Sequence, residues 1–210
     1  MLGMVGTVSA GPIISATSAV INSGGPGFGS ITDTHDQSGL SVGYTSGVDD
    51  FDTYIGGNPL HTLIFARNEW ASNRGLTSAS VTYDLGSLNT IDAIGLWNED
   101  LAGIGLLDLF GSEDGVDFST LAVGLDPIDN NSFGDYGAQV FSFAATDLQF
   151  IRFDMSECPQ TPGGFIGCAI GEVAFRSSDA TATLVPEPGT LGMLGLALAG
   201  MGCAFRRKVA

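Results

Sequence analysis

The chain has 210 residues, 31 of them glycine, with 23 Asp and Glu against seven Lys and Arg, a formal charge of −16. So lopsided an acidic balance repels phosphate backbones and anionic lipid, which excludes a nucleic-acid binder, and a hydrophobic content of 44% excludes a disordered chain. Glycine at about twice ordinary usage argues against a helical enzyme, and the length suits one domain with a real core.

Taken in chain order, Met1 to Ala10 (MLGMVGTVSA) is apolar and ends in Val8-Ser9-Ala10, the small-residue pattern of a signal-peptidase site before Gly11. Residues 1–10 are therefore read as a partial signal peptide whose start codon lies upstream, the other reading being a floppy apolar end. The run Gly24 to Gly29 (GGPGFG) has the look of a phosphate loop but lacks its Lys, and is read as a flexible loop. Residues 78–85 (SASVTYDL) alternate strictly, with Ala79, Val81, Tyr83 and Leu85 on one face and Ser78, Ser80, Thr82 and Asp84 on the other, a strand half exposed to water. Further short strands are expected at Ile91–Trp97, Leu106–Gly111, Gln139–Phe143, Phe150–Met155 and Ala169–Arg176, separated by turn-rich stretches such as Gly86 to Asn89 and Asp114-Gly115. No amphipathic helical pattern of ten residues occurs between Gly11 and Ser178, so residues 11–178 are expected to form an all-β sandwich, with 179–185 as a linker.

Past the linker, Val185-Pro186-Glu187-Pro188 precedes 17 uncharged residues, Gly189 to Phe205, and then Arg206-Arg207-Lys208. As a helix that span reaches about 25 Å, just short of a bilayer core, and the basic cluster is a positive-inside stop. Subtracting residues 186–210 leaves four Arg against 22 acids, a body of charge −18. Pro186-Glu187-Pro188, the apolar span and the closing Arg206 and Arg207 resemble the PEP-CTERM sorting signal of Gram-negative bacteria that secrete exopolysaccharide. The resemblance implies export through the inner membrane, a membrane-inserted precursor with a hydrophobic helix over 186–210, recognition by an exosortase and removal of the tail. A plain membrane tether is the bland alternative.

Within the body, Tyr83-Asp84-Leu85-Gly86, Ile91 to Trp97, Ser112 to Phe118, Ile151-Arg152-Phe153 and Ile170 to Phe175 follow one another in an order that resembles discoidin-like domains, the galactose-binding jelly roll also found at the C-terminus of coagulation factors. The resemblance covers about residues 40–177 and implies a jelly-roll β-sandwich whose loops at one end bind ligand, with carbohydrate the commonest class. The first third departs from the pattern, since Asn68 to Ser72 matches the expected segment only partly.

Conventional chemistry is sparse. The only histidines, His35 and His61, lie in polar loop-like sequence with no Gly-x-Ser-x-Gly elbow, so a Ser-His-Asp hydrolase is not supported and no enzyme is expected. Adjacent acids such as Glu99-Asp100 and Glu113-Asp114 read as solvated loop faces. Cys158 and Cys168 bracket one loop, and in an exported chain they are expected to form a disulfide, two free buried thiols being the other reading. Asp49, Asp50 and Asp52 sit in one Gly-flanked stretch, and Glu172 matches the acid that opens the last strand in calcium-binding members of the resembled family. Asp50, Asp52 and Glu172 are thus candidate Ca²⁺ ligands, against a reading in which the aspartates form a solvated turn and Glu172 pairs with Arg152 or Arg176. Phe51, Tyr54, Phe118, Phe133, Tyr136 and Phe165 lie in loop-like sequence and could stack on sugar rings. The expected protein is a surface or matrix component binding exopolysaccharide, with a ligand-free structural coat protein as the alternative and exosortase and export machinery as partners.

Overall fold

The computed structural model describes residues 11–130, 133–160 and 165–178. The expected signal peptide at 1–10, the 179–185 linker and the sorting tail at 186–210 lie outside the described residues. Among the described residues no helix is long and apolar enough to cross a membrane.

The strands are β1 (Ile13–Ile14), β2 (Ser18–Ser23), β3 (Phe28–Gly29), β4 (Leu60–His61), β5 (Trp70–Ala71), β6 (Ala79–Asn98), β7 (Leu106–Ser112), β8 (Ser119–Leu125), β9 (Tyr136–Gly137), β10 (Gln139–Ser156) and β11 (Ala169–Ser177). They pair in the order β3-β5-β11-β6-β10-β7-β8, with β1 added on β11, β2 on β6, and a separate β4-β9 ribbon. Two expected strands, 78–85 and 91–97, turn out to be halves of β6, and 139–143 and 150–155 are halves of β10. The supposed turn Gly86 to Asn89 is a bulge inside β6: the pairing jumps from Leu148↔Asn89 to Phe150↔Asp84, so residues 85–88 arch out. Gly86 allows this because it sits at φ +80°, where a Cβ would lie 2.7 Å from Thr17.

Each long strand therefore gives one half to each layer. The first half of β6 joins β2 and the second half of β10; its second half joins β11 and the first half of β10. The alternation read from 78–85 sets the inner faces, since Val81 and Tyr83 from one layer and Leu96 and Phe175 from the other share one buried cluster. Burying each such side chain is worth about 1.5–3 kcal/mol, and Tyr83 also keeps a hydroxyl partner, Thr34 Oγ1 at 3.0 Å. The disulfide Cys158–Cys168 is present and both cysteines are buried.

Among the described residues a 3-10 turn at Ile31–Thr34 and one short α-helix escape the sequence reading. Asp50 caps α1 (Phe51–Gly56), its side chain accepting from the Thr53 N–H at 2.8 Å, and Asp52 in the first turn favours the helix dipole. Phe51, expected in a loop, is the buried residue of that helix.

Candidate functional site

At one end of the sandwich three phenyl rings from separate segments meet. Phe28 comes from β3, Phe65 from the loop between β4 and β5, and Phe165 from the stretch closed by the disulfide. Phe28 and Phe165 stack edge to face at 5.4 Å between centroids. Phe28 and Phe65 are 55% and 66% exposed, large apolar side chains facing water. They border two adjoining hollows, of about 130 Å³ against Ile64 and Ala71 and about 550 Å³ toward Gly29 and Arg67.

Phe65 and Arg67 both hold left-handed backbone, φ +71° and +69°, a conformation costly for residues with side chains. Three carboxylates, Glu69 and Asp100 buried and Asp135 exposed, hold the loop from Leu63 to Asn68. Glu69 accepts the Phe65 N–H on Oε1 at 2.8 Å and the Asn68 N–H on Oε2 at 2.9 Å. Asp100 Oδ1 accepts the Ile64 N–H at 2.6 Å, and Asp135 Oδ1 the Leu63 N–H at 3.3 Å. A run of backbone donors that could have cradled an anionic ligand is thus filled by the chain's own acids.

Glu99 and Asp100, read as a solvated loop face, are in fact buried. Glu99 Oε1 accepts the Asp100 N–H while Glu99 Oε2 and Asp100 Oδ2 have no hydrogen-bond partner. Burial, and then the Asp100 side chain beside it, push the Glu99 carboxyl up to about 10, so it is a neutral acid at pH 7. The histidines are buried as well. His61 bonds the Tyr136 hydroxyl through Nδ1 at 2.9 Å and the Ser38 carbonyl through Nε2 at 3.0 Å, and burial lowers its pKa. It is a core histidine with both nitrogens engaged, and burial likewise lowers His35.

The aromatic residues singled out from sequence scatter. Phe51 and Tyr136 are core residues, Tyr54 is half-buried against Tyr44, and Phe118 lies under the Arg152 guanidinium at 4.8 Å. Phe133 is exposed, but only Phe165 belongs to the three-ring face. Phe28 and Phe65 were missed. Phe28 hid in a glycine run, which the structure pins by the Asn73 N–H to Gly24 carbonyl bond at 2.7 Å and the Trp70 Nε1–H to Pro26 carbonyl bond at 2.9 Å.

The three candidate calcium ligands are not brought together. Asp50 caps α1, Asp52 Oδ1 lies 3.0 Å from Arg176 Nη1, and Asp49 Oδ2 accepts the Thr45 N–H at 2.6 Å. Among the described residues no three His, Cys, Asp or Glu are grouped to hold a metal. Glu172 stands apart. It is fully buried, its Oε2 accepts the Gln37 N–H at 2.9 Å, and its Oε1 has no partner. It pairs with neither Arg152 nor Arg176, which face Asp154 and the Asp52–Asp92 pair. Burial holds its pKa well above the usual carboxylate range. Of the three acids, only Glu172 has a buried polar atom without a hydrogen-bond partner.

Residues 184–208 match the PEP-CTERM protein-sorting motif. That motif marks the chain for exosortase-dependent export to the cell surface. No curated protein matches the chain. Among solved structures, the chain is similar to a variant of chitosan-binding module 1 derived from a chitosanase/glucanase of Paenibacillus sp. IK-5, at 17% identity and a TM-score of 0.53, covering 80% of this chain and 99% of that one. It is also similar to the CBM32-1 and CBM32-2 domains of Clostridium perfringens ZmpB, at 15% identity and a TM-score of 0.51, covering 78% of this chain and 35% of that one. The body has the discoidin-like, galactose-binding-like β-sandwich fold.

Proposed function

We propose that the body is a non-catalytic glycan-binding module, exported by its sorting signal from a Gram-negative cell to bind the exopolysaccharide outside it. One observation carries this reading: three phenyl rings converge on a hollow where buried carboxylates hold Phe65 in left-handed backbone. Exposed rings fixed on a rigid loop suit the apolar faces of sugar rings, because little side-chain freedom remains to be lost on binding. The Arg67 side chain, exposed beside them, can meet sugar hydroxyls. The fold supports the class, since the Paenibacillus neighbour is by name a chitosan-binding module.

Charge narrows the ligand. With the backbone donors of the loop taken up by Glu69, Asp100 and Asp135, and a chain at −16, neutral or amino-substituted sugars are favoured over uronate-rich polymers. Membrane insertion of the precursor and removal of the tail complete the reading, with the Pro186-Glu187-Pro188 segment offered to the exosortase.

A glycan array probed with the full chain tests it, with Phe65→Ala alongside. Retention on neutral or amino sugars, weakened at least about tenfold by Phe65→Ala, is the expected result. Retention on no glycan would leave the structural coat protein, an acidic spacer without a ligand, as the better account.

A further inference from the structure

The face of the sandwich away from the core carries a second hollow, of about 540 Å³, that shares no lining residue with the aromatic loop face. The strand register builds its floor. On β2 and β6, Ser18 lies opposite Asp84 and Val20 opposite Thr82, while Asn22 donates to the Ser80 and Thr82 hydroxyls at 3.1 and 2.8 Å. On the other side of β6, the partners of Asp84, Thr82 and Ser80 are Phe150, Arg152 and Asp154 of β10. Three rows of three side chains result, about 10 Å across and about 13 Å along the strands from the usual spacings.

A merely solvated sheet face would be flat and polar, and this one is neither. Val20 is 61% exposed at its rim, and Phe118 from the segment leading into β8 stands beside Phe150 as a wall. Arg152 is laid over the rings of Phe110 and Phe118, at 4.6 and 4.8 Å, with its Nε 3.2 Å from Asp154 Oδ1. The guanidinium charge is therefore answered within the protein. Asp84 remains as the second carboxylate, so the hollow is net negative.

We propose that this hollow is a second glycan site, taking an extended oligosaccharide that carries free amino groups. Hydroxyls from Ser18, Ser80 and Thr82 and the Asn22 amide both donate and accept, as sugar hydroxyls require. Phe118 and Phe150 offer apolar faces to the rings, and the carboxylates attract sugar ammonium groups. A peptide lying across the floor is disfavoured because β6 and β10 are hydrogen-bonded on both sides, unpaired main chain being left on the floor strands only at the outer edge of β2. Anionic polymers meet the wrong sign of charge. The length admits about two or three pyranose rings.

The site stands on residues outside the loop face, though its ligand class follows the same reading, so the test separates the two. The full chain is titrated with glucosamine hexasaccharide and with its fully N-acetylated counterpart, and stoichiometry is read by native mass spectrometry and calorimetry. Two glucosamine hexasaccharides per chain are expected. Val20→Lys, an exposed position whose substitution fills the hollow with a cation, and Phe150→Ala should each reduce this to one without loss of fold, and so should Phe65→Ala. The N-acetylated probe should bind the groove at least tenfold more weakly. One site in the unmutated chain, or two retained in both Val20→Lys and Phe150→Ala, would overturn the groove; so would loss of all binding in Phe65→Ala, which leaves the loop face standing. Binding untouched by Phe65→Ala but abolished by Val20→Lys would support the groove and overturn the loop face. Equal affinity for the two probes would overturn the amino-sugar assignment.

Discussion

Glu69 holds the Phe65 loop, and its removal should be felt in stability and binding together. In Glu69→Ala the N–H groups of Phe65 and Asn68 lose a carboxylate acceptor each. Hydrogen bonds to a charged group contribute about 1.5–3 kcal/mol apiece, and left-handed backbone at Phe65 and Arg67 stores about 1–3 kcal/mol at each position. Release of that strain offsets part of the loss, so a net destabilisation of about 2–3 kcal/mol is expected. For a domain of this size that lowers Tm by about 4–12 °C, measured by calorimetry. The freed loop must then be ordered by the ligand, which should weaken glycan binding at least about tenfold. Glu69→Gln should fall between the two, since its amide keeps one acceptor but turns a donor toward the second N–H. The reasoning is refuted if Glu69→Ala melts and binds like the parent, for the carboxylate would then be incidental to the loop.

Three further outcomes are expected. Glu99 is protonated in the fold up to about pH 10 but ionises near 4.5 when unfolded, so its contribution is full below pH 4.5 and lost as pH rises toward 10. Glu99→Gln should therefore flatten the decline in chemical stability between pH 6 and 9, by about 1–3 kcal/mol at the upper end, and an unchanged slope would place Glu99 outside the titration. If Glu172, whose buried Oε1 has no partner, ligates calcium, millimolar Ca²⁺ should stabilise the fold by about 2.7 kcal/mol at a hundredfold excess over Kd and raise Tm more than Mg²⁺ does. Glu172→Gln should abolish the difference, whereas equal melting in both ions for the parent would remove the metal. Finally, intact-mass measurement of protein from the native cell surface should show a form lacking most of residues 189–210; the full tail with Arg206 to Lys208 would favour a plain anchor over sorting.

Local features were legible because their physics is local. The alternation at 79–85 determined a strand and its buried face, the Cys158–Cys168 spacing determined a bridge, and the sorting tail is a linear signal whose parts must follow in order. The same locality explains the misreadings. Gly86 to Asn89 has turn composition, but neighbours on both sides carry β6 through it as a bulge. Glu99-Asp100 reads as surface in a window of sequence, whereas its burial depends on Ile64 and Tyr136 arriving from distant strands and loops. Candidate ligands chosen for chain proximity, Asp50 and Asp52, were claimed by a local helix cap three residues on and by Arg176, a partner 124 residues away that no spacing announces. Phe28, Phe65 and Phe165 become one face only when the fold brings β3 and two loops together. Composition and periodicity determined what kind of protein this is; only the tertiary structure decided where its aromatic face and its buried charges lie, because contacts between distant residues leave no period in the chain.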